Sequence, residues 1–291
     1  MARQFNQLLL TIGALAGLVF AATSAVHAAC TDPAASGVDW HLCEFEGKSL
    51  AGSNLSKANL QFVMLTKAKL SGVDFSGANL FVSNLSGSDL TGVNLSKANL
   101  SLANLAGANL TSANLADANL SEVGAAKANL SGAKLVGANL SKANLSGANL
   151  KDADLSNAYL ANANLSNADL SGANLTGANL TEAFMEKTTL AAAQLEAAKL
   201  PSTFMQLAIL QNAKLDGANF DYSDLRAAQF SNAVMKKAKL VNALLQFSDL
   251  SGADTTGNDR LKFVHMFHVK LDGTTWFDGR KCAAKSFEQC D

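Results

Sequence analysis

Residues 141–160 read SKANLSGANLKDADLSNAYL, and the five-residue spacing within this stretch decides the fold. A leucine stands at every fifth position, and an alanine stands two residues before each leucine. The same spacing runs from Trp40 to Leu250, where all of the 43 positions except Ala125 hold Leu, Phe, Met or Trp. A period of five matches neither the 3.6 of an α-helix nor the 2 of a strand. The chain is therefore built from another kind of repeating unit.

A short extended segment followed by a corner produces a period of five. The small residue and the large residue after it face the same side, because alternate residues of a strand share a face. The residue between them is mostly Asn, Asp or Lys, and the corner residues are mostly Ser, Thr, Gly or Lys, which suit turns and solvent. Each unit has an apolar side that only stacked neighbours can bury, so the pattern predicts a solenoid.

Two complete units, Ala143–Gly147 (ANLSG) and Ala173–Gly177 (ANLTG), resemble the pentapeptide-repeat family. Its motif is a small residue, Asn or Asp, Leu and two variable polar residues. The resemblance implies an all-β fold, a right-handed quadrilateral parallel β-helix with four units in each coil. The repeat from Trp40 onward then makes about 12 coils and a rod of roughly 55 Å, since stacked strands lie ~4.8 Å apart.

Residues 1–28 have the pattern of a secretory signal. Arg3 provides a positive start, an apolar run follows from Leu8 to Ala22, and small residues precede a cut before Ala29. The apolar run is short for a membrane anchor, so we expect no membrane span in the mature chain. We expect a periplasmic or extracellular protein. The alternative is a lipoprotein signal that uses Cys30 as the lipidated residue.

The rest of the chain divides into four predicted segments. Residues 29–44 are expected to form an N-terminal cap and residues 45–250 the repeat, because a coil end exposes apolar core and unpaired backbone. Residues 251–276 are a frame-shifted final coil, in which the spacing resumes one residue later at Leu261, Met266, Leu271 and Trp276. Residues 277–291 are expected to form a C-terminal cap.

Four cysteines lie in two close pairs, one at each end of the repeat. Four cysteines allow three pairings, and an exported protein resides where disulfides persist. Because the coil holds its ends far apart, we expect Cys30 to pair with Cys43 and Cys282 with Cys290. A metal site is the competing interpretation, but the sequence contains no Cys-x-x-Cys motif and no histidine beside these cysteines.

No catalytic, cofactor-binding or metal-binding set emerges from the sequence, and we expect a protein that is not an enzyme. His265 and His268 lie close together on the outside of the last coil, but no further metal ligands accompany them. The charged residues number 23 basic and 24 acidic, a balance that does not favour nucleic-acid binding.

Apolar residues at outward positions are the most informative feature for function. At 20 residues per coil, four of them stack in one corner column with an aromatic neighbour: Leu42, Phe62, Val82 and Leu102, beside Phe81. Exposed apolar patches mark contact surfaces, so this patch is a candidate site for a partner protein or another copy of the chain. The alternative is that the cap folds over it. A second column, which residues 251–263 would cover, comprises Phe184, Phe204 and Leu244, next to Leu207 and Phe247.

The sequence thus predicts an exported, non-enzymatic structural or protein-interaction module that binds through the side of a rigid β-helix. One alternative is a surface-array binder of polysaccharide or ice, based on the stacked hydroxyls of Ser71, Thr91, Thr111 and Ser131. Another comes from the family, some of whose members resemble DNA and bind topoisomerases. The export signal and the balanced charge oppose this last alternative.

Overall fold

The computed structural model of the protein describes residues 30–258, 261, 264 and 266–290. The predicted signal sequence and His265 lie outside the described residues. Within them, extended segments so short that each contributes a single bridged residue alternate with two-residue turns. Parallel bridges run from Asp39↔Asn59 to Asp254↔Thr275. None of the described residues belongs to a helix long and apolar enough to cross a membrane.

Bridged residues lie 20 apart along most of the chain, which corresponds to four five-residue units in each coil. The four-sided β-helix predicted from the family resemblance is therefore the observed architecture. The separation rises to 21 at Asp249↔Lys270 and Asp254↔Thr275. One additional residue is thus accommodated between Asp254 and Lys270, the region in which the spacing of large apolar residues also changes.

Hydrogen bonds satisfy every backbone N–H group of the unit 144–148. Three of these groups bond to neighbouring coils: Asn144 donates to Val123 at 2.8 Å, Leu145 to Asn164 at 2.7 Å and Gly147 to Ser166 at 2.9 Å. The N–H of Ala148 closes the turn on the carbonyl of Leu145 at 3.0 Å. The N–H of Ser146 donates to Oδ1 of Asn144 at 3.2 Å. A buried coil requires this complete pairing, because unpaired buried backbone groups are costly.

The core is a continuous column of large and small inward residues. Leu145 and Ala143 are both buried, as are the corresponding residues of most other units, whereas Phe45 and Leu50 near the N-terminal end are only partly buried. Phe75, Phe220 and Phe230 are the largest fully buried side chains. Val123 and Ala125 are buried together on one side of a coil, so a larger residue at the small position accompanies a smaller one at the large position. Close packing in the interior favours this exchange of volume.

Both predicted disulfides are confirmed, Cys30–Cys43 at the N-terminal end and Cys282–Cys290 at the C-terminal end. Lipidation of Cys30 would need the same sulfur that this disulfide occupies. At the other end, the chain after Trp276 reverses direction and pairs antiparallel with the last coil through Lys270↔Phe287 and Thr275↔Lys281. This pairing covers a strand edge that would otherwise offer free backbone groups.

Two neighbouring substitutions test the assignment of inward and outward positions. Leu145→Asp places a charge in the buried column and should lower the free energy of unfolding by about 4 kcal/mol or more. Asn144→Asp keeps an oxygen that accepts from the N–H of Ser146, and the change should stay within ~0.5 kcal/mol. Urea denaturation measures both values, and equal destabilisation of the two variants would contradict the assignment.

Candidate interaction surface

The corners of the coil impose a conformation that most residues avoid. The second residue of each turn has a positive φ, which glycine adopts at little cost and other residues adopt rarely. Gly37, Gly47 and Gly52 begin three of the four corner columns, and each of these columns contains at least four glycines with positive φ. The fourth column contains no glycine and keeps φ between 56° and 62° throughout: Leu42, Phe62, Val82, Leu102, Glu122, Lys142, Asn162, Glu182, Ser202, Tyr222 and Asn242.

The first four residues of this glycine-free column are the apolar residues predicted as a contact patch. Leu42, Phe62 and Leu102 are 44%, 41% and 39% exposed, and Val82 is partly buried. A left-handed conformation costs an L-residue about 1–2 kcal/mol, and it is especially unfavourable for a β-branched residue such as Val82. Strain of this kind persists where the surrounding structure imposes it, and it often accompanies a functional site.

Phe81 completes the patch by packing against Phe62. The two rings meet edge to face, with centroids 5.9 Å apart and planes at 83°. We call Leu42, Phe62, Phe81, Val82 and Leu102 together the ridge, because coils stacked ~4.8 Å apart align them over about 14 Å of one corner. The described N-terminal residues, from Cys30 onward, leave Leu42 and Phe62 exposed.

Met64 extends the ridge onto the adjoining face of the coil. It is exposed and occupies the bridged position that Glu44 and Asn84 hold in the neighbouring coils. Met64 was not predicted from the sequence, because it is a lone apolar residue between Glu44 and Asn84 in its column. The signal was present, because an apolar residue stands there where asparagine is usual.

Charged groups mark both ends of the ridge. Asp39 and Glu44 flank Leu42 in the first coil, and Nδ1 of His41 lies 2.8 Å from Oδ1 of Asp39. Partial burial raises the pKa of Asp39, but hydrogen bonds from His41 outweigh this effect and lower the pKa below its usual value. Beyond Leu102 the column becomes polar, and Lys142 Nζ lies 3.9 Å from Glu122 Oε1.

The second apolar column is exposed as well. Phe184 and Phe204 stack with ring centroids 5.1 Å apart, and the described residues of 251–263 leave both exposed. Phe267 packs against Phe247 and lengthens this surface toward the C-terminus. An ion pair between Arg226 and Asp224, at 2.6 Å, interrupts the surface in the middle.

The two threonines of the predicted hydroxyl ladder make their hydrogen bonds within the protein. The hydroxyl of Thr91 donates to Asp89 Oδ1 at 2.6 Å and accepts from Asn109 Nδ2 at 2.8 Å. The hydroxyl of Thr111 donates to Asn109 Oδ1 at 2.6 Å and accepts from Asn129 Nδ2 at 2.9 Å. These two threonines therefore have little hydrogen-bonding capacity left for an ice or polysaccharide lattice.

The described residues contain no cluster of histidine, cysteine and carboxylate side chains that could hold a metal ion. His268 packs its ring on Phe247, and its backbone N–H donates to Glu288 Oε1 at 3.0 Å. An open groove on one face joins Asp117 to Asn139 and Tyr159. Ser141 also lines this groove, but none of the described histidines and lysines lines it to act as a base toward the serine hydroxyl.

Comparison with known proteins identifies the repeat. A family model described as "Pentapeptide repeats" matches in eight copies, over residues 43–80, 83–123, 126–160, 153–190, 189–226 and 223–254. Among solved structures, HetL is a pentapeptide repeat protein involved in heterocyst differentiation regulation from the cyanobacterium Nostoc sp. strain PCC 7120. It is 31% identical, with a TM-score of 0.61 over 80% of this chain and 92% of HetL. These matches agree with a right-handed quadrilateral β-helix.

Two further solved structures are similar over smaller parts or at lower identity. A pentapeptide repeat protein from the thylakoid lumen of Arabidopsis thaliana is 31% identical over 33% of this chain and 66% of its own, with a TM-score of 0.32. QnrB1, a plasmid-mediated fluoroquinolone resistance protein, is 17% identical over 72% of this chain and 92% of its own, with a TM-score of 0.38. No curated protein sequence matches this chain.

Exchanging glycine and valine between two corners tests whether the ridge is retained at a cost to stability. Val82→Gly removes the left-handed strain and should raise the free energy of unfolding by about 0.5–1 kcal/mol. The reverse change, Gly92→Val, introduces that strain at a corner with φ +64° and open space around it, and should lower stability by about 1 kcal/mol. Both values follow from urea denaturation. Destabilisation by Val82→Gly would mean that Val82 serves packing within the chain.

Proposed function

The chain belongs to the pentapeptide-repeat family, and we propose that it is an exported, non-enzymatic interaction module that binds another protein through the ridge. Pentapeptide-repeat proteins are structural and protein-interaction modules. The observation that carries the proposal is the succession of four apolar residues, three exposed and one partly buried, at strained corners of consecutive coils in the column that contains no glycine. Random drift of the repeat would scatter such residues over all four corners.

The ridge has the properties of a protein contact surface. Phe62 and Phe81 form an aromatic pair near its centre, and aromatic residues often dominate the energy of protein interfaces. Hydrogen bonds to both neighbouring coils hold the backbone beneath the ridge, so binding would order few additional groups. A partner needs only a complementary apolar groove about 14 Å long.

Export rests on two features of the chain. Residues 1–28 carry the charge, apolar run and small residues of a secretory signal. Disulfides at both ends of the coil suit a compartment in which oxidised cysteines persist. A protein that mimics DNA would require a strongly acidic surface in the cytoplasm, and the 23 basic residues against 24 acidic ones do not favour it.

N-terminal sequencing of the protein from a periplasmic or secreted fraction tests the export. The mature chain should begin at Ala29, because the small residues Val26 and Ala28 precede that bond. The variant Ala28→Phe should accumulate as precursor, since a bulky residue blocks the cleavage site. Recovery of the unprocessed chain in the cytosol would contradict the proposal.

A double substitution tests the ridge. Phe62→Ser with Phe81→Ser should remain folded, because Phe62 is exposed and Phe81 lies outside the core, but it should lose partner capture and self-association. The matched control is Tyr222→Ser with Val241→Ser, a pair at the same two corner positions eight coils beyond Phe62 and Phe81, where the column of Phe62 has become polar.

Circular dichroism establishes whether each variant is folded. The amount of partner protein captured from a periplasmic fraction is then compared between the two variants and the unchanged protein. Equal capture by all three would remove the ridge as the contact surface. Unfolding of the ridge variant alone would show that these phenylalanines serve the fold.

A further inference from the structure

We propose that the ridge pairs with the ridge of a second copy of this chain, with the two rods antiparallel. This inference rests on the proposed function and names the partner at the same site. It places Leu42 opposite Leu102 of the second copy and Phe62 opposite Val82 of the second copy. A two-fold axis then crosses the contact between the levels of Phe62 and Val82.

The regular spacing of the ridge favours a second copy over an unrelated partner. Its side chains project from successive coils of a straight corner, one step of ~4.8 Å apart. A second copy presents side chains at the same spacing, so the two rows stay in register along their whole length. An α-helix repeats its turns every 5.4 Å and loses register with the ridge over four coils.

Charge selects the antiparallel orientation. Asp39 and Glu44 flank Leu42 on the two faces that meet at this corner, and Asn99 and Asn104 hold the same positions beside Leu102. Antiparallel rods bring Asp39 to Asn99 and Glu44 to Asn104 of the second copy. Asn104 and Glu44 are both exposed, so an amide N–H can donate to the carboxylate across the contact.

A parallel pair would place like charges together. Asp39 would then face Glu44 of the second copy, and Glu122 would face Glu122 beyond the end of the ridge. The antiparallel pair avoids both contacts, because Glu122 then lies one coil beyond the level of Leu42 of the second copy along the rod. The polar residues that follow Leu102 therefore limit the interface to four coils.

The size of the ridge sets the expected strength of the dimer. Five partly exposed side chains along one corner bury far less than the roughly 800 Å² per partner of a standard interface. We therefore expect reversible, concentration-dependent association. A two-fold contact uses the same patch on both copies, so a dimer leaves no free patch for a third copy. The contact therefore yields dimers and not filaments.

Analytical ultracentrifugation of the exported full chain over a wide concentration range measures the association. The unchanged protein should show a monomer–dimer equilibrium, and Phe62→Ser should weaken it at least tenfold. Tyr222→Ser, in the polar part of the same column, should leave the dimer constant within about twofold. A chain that remains monomeric at all concentrations, or equal effects of the two variants, would overturn the inference.

Disulfide cross-linking determines the orientation. A disulfide requires Cα atoms within about 7 Å, whereas antiparallel packing separates the two copies of residue 42 by about 14 Å along the rod. A mixture of Leu42→Cys and Leu102→Cys should therefore yield a 42–102 link, and neither variant alone should yield a dimer. Cross-linking of each variant with itself would indicate parallel rods and overturn the inference.

The two proposals fail in distinguishable ways. If the chain is monomeric but the Phe62→Ser and Phe81→Ser variant loses capture of a different protein, the second copy is not the partner and the proposed function stands. If the chain is monomeric and the ridge variant captures as much as the unchanged protein, both proposals fail.

Discussion

Backbone hydrogen bonding within the five-residue unit is the constraint on which the rest of the structure depends. In the unit 144–148, three N–H groups bond to neighbouring coils, one closes the turn, and the last donates to the side chain of Asn144 at the outward position. Most other units with Asn or Asp at this position repeat the pattern, as Ser121 N–H does with Asn119. The asparagines also bond to one another along the rod, as Nδ2 of Asn119 does with Oδ1 of Asn99 at 3.2 Å. Their frequency therefore has a structural cause, and it does not indicate a site on the faces where they lie.

The same constraint determines where the protein can vary without losing its coil. Each turn requires a left-handed residue, and glycine meets this requirement at three corners in many coils. At the fourth corner the chain uses side chains throughout, apolar ones first and polar ones after Leu102. Stability and recognition thus compete at a corner, since the residue most suitable for the turn has no side chain with which to bind.

The ends of the rod are protected by different means. At the N-terminal end a disulfide joins Cys30 to the buried Cys43, whereas at the C-terminal end a reversed segment pairs with the last coil and a second disulfide holds it. Open edges of a solenoid invite stacking with other copies. With the C-terminal edge covered in this way, the side of the rod becomes the surface available for specific contacts.

The sequence by itself determined the period, the set of inward residues and the local pairing of the cysteines. These features are local and repeated: Leu145 and Ala143 have the same neighbours as dozens of equivalent residues, so a single assignment serves for all. The tertiary structure decided which side chains remain available to bind a partner. The hydroxyls of Thr91 and Thr111 bond to residues 18 positions further along the chain, and Met64 joins the ridge only when coils stack. Such contacts depend on the distance between coils and on the left-handed turn, and neither of these can be read from a spacing of five.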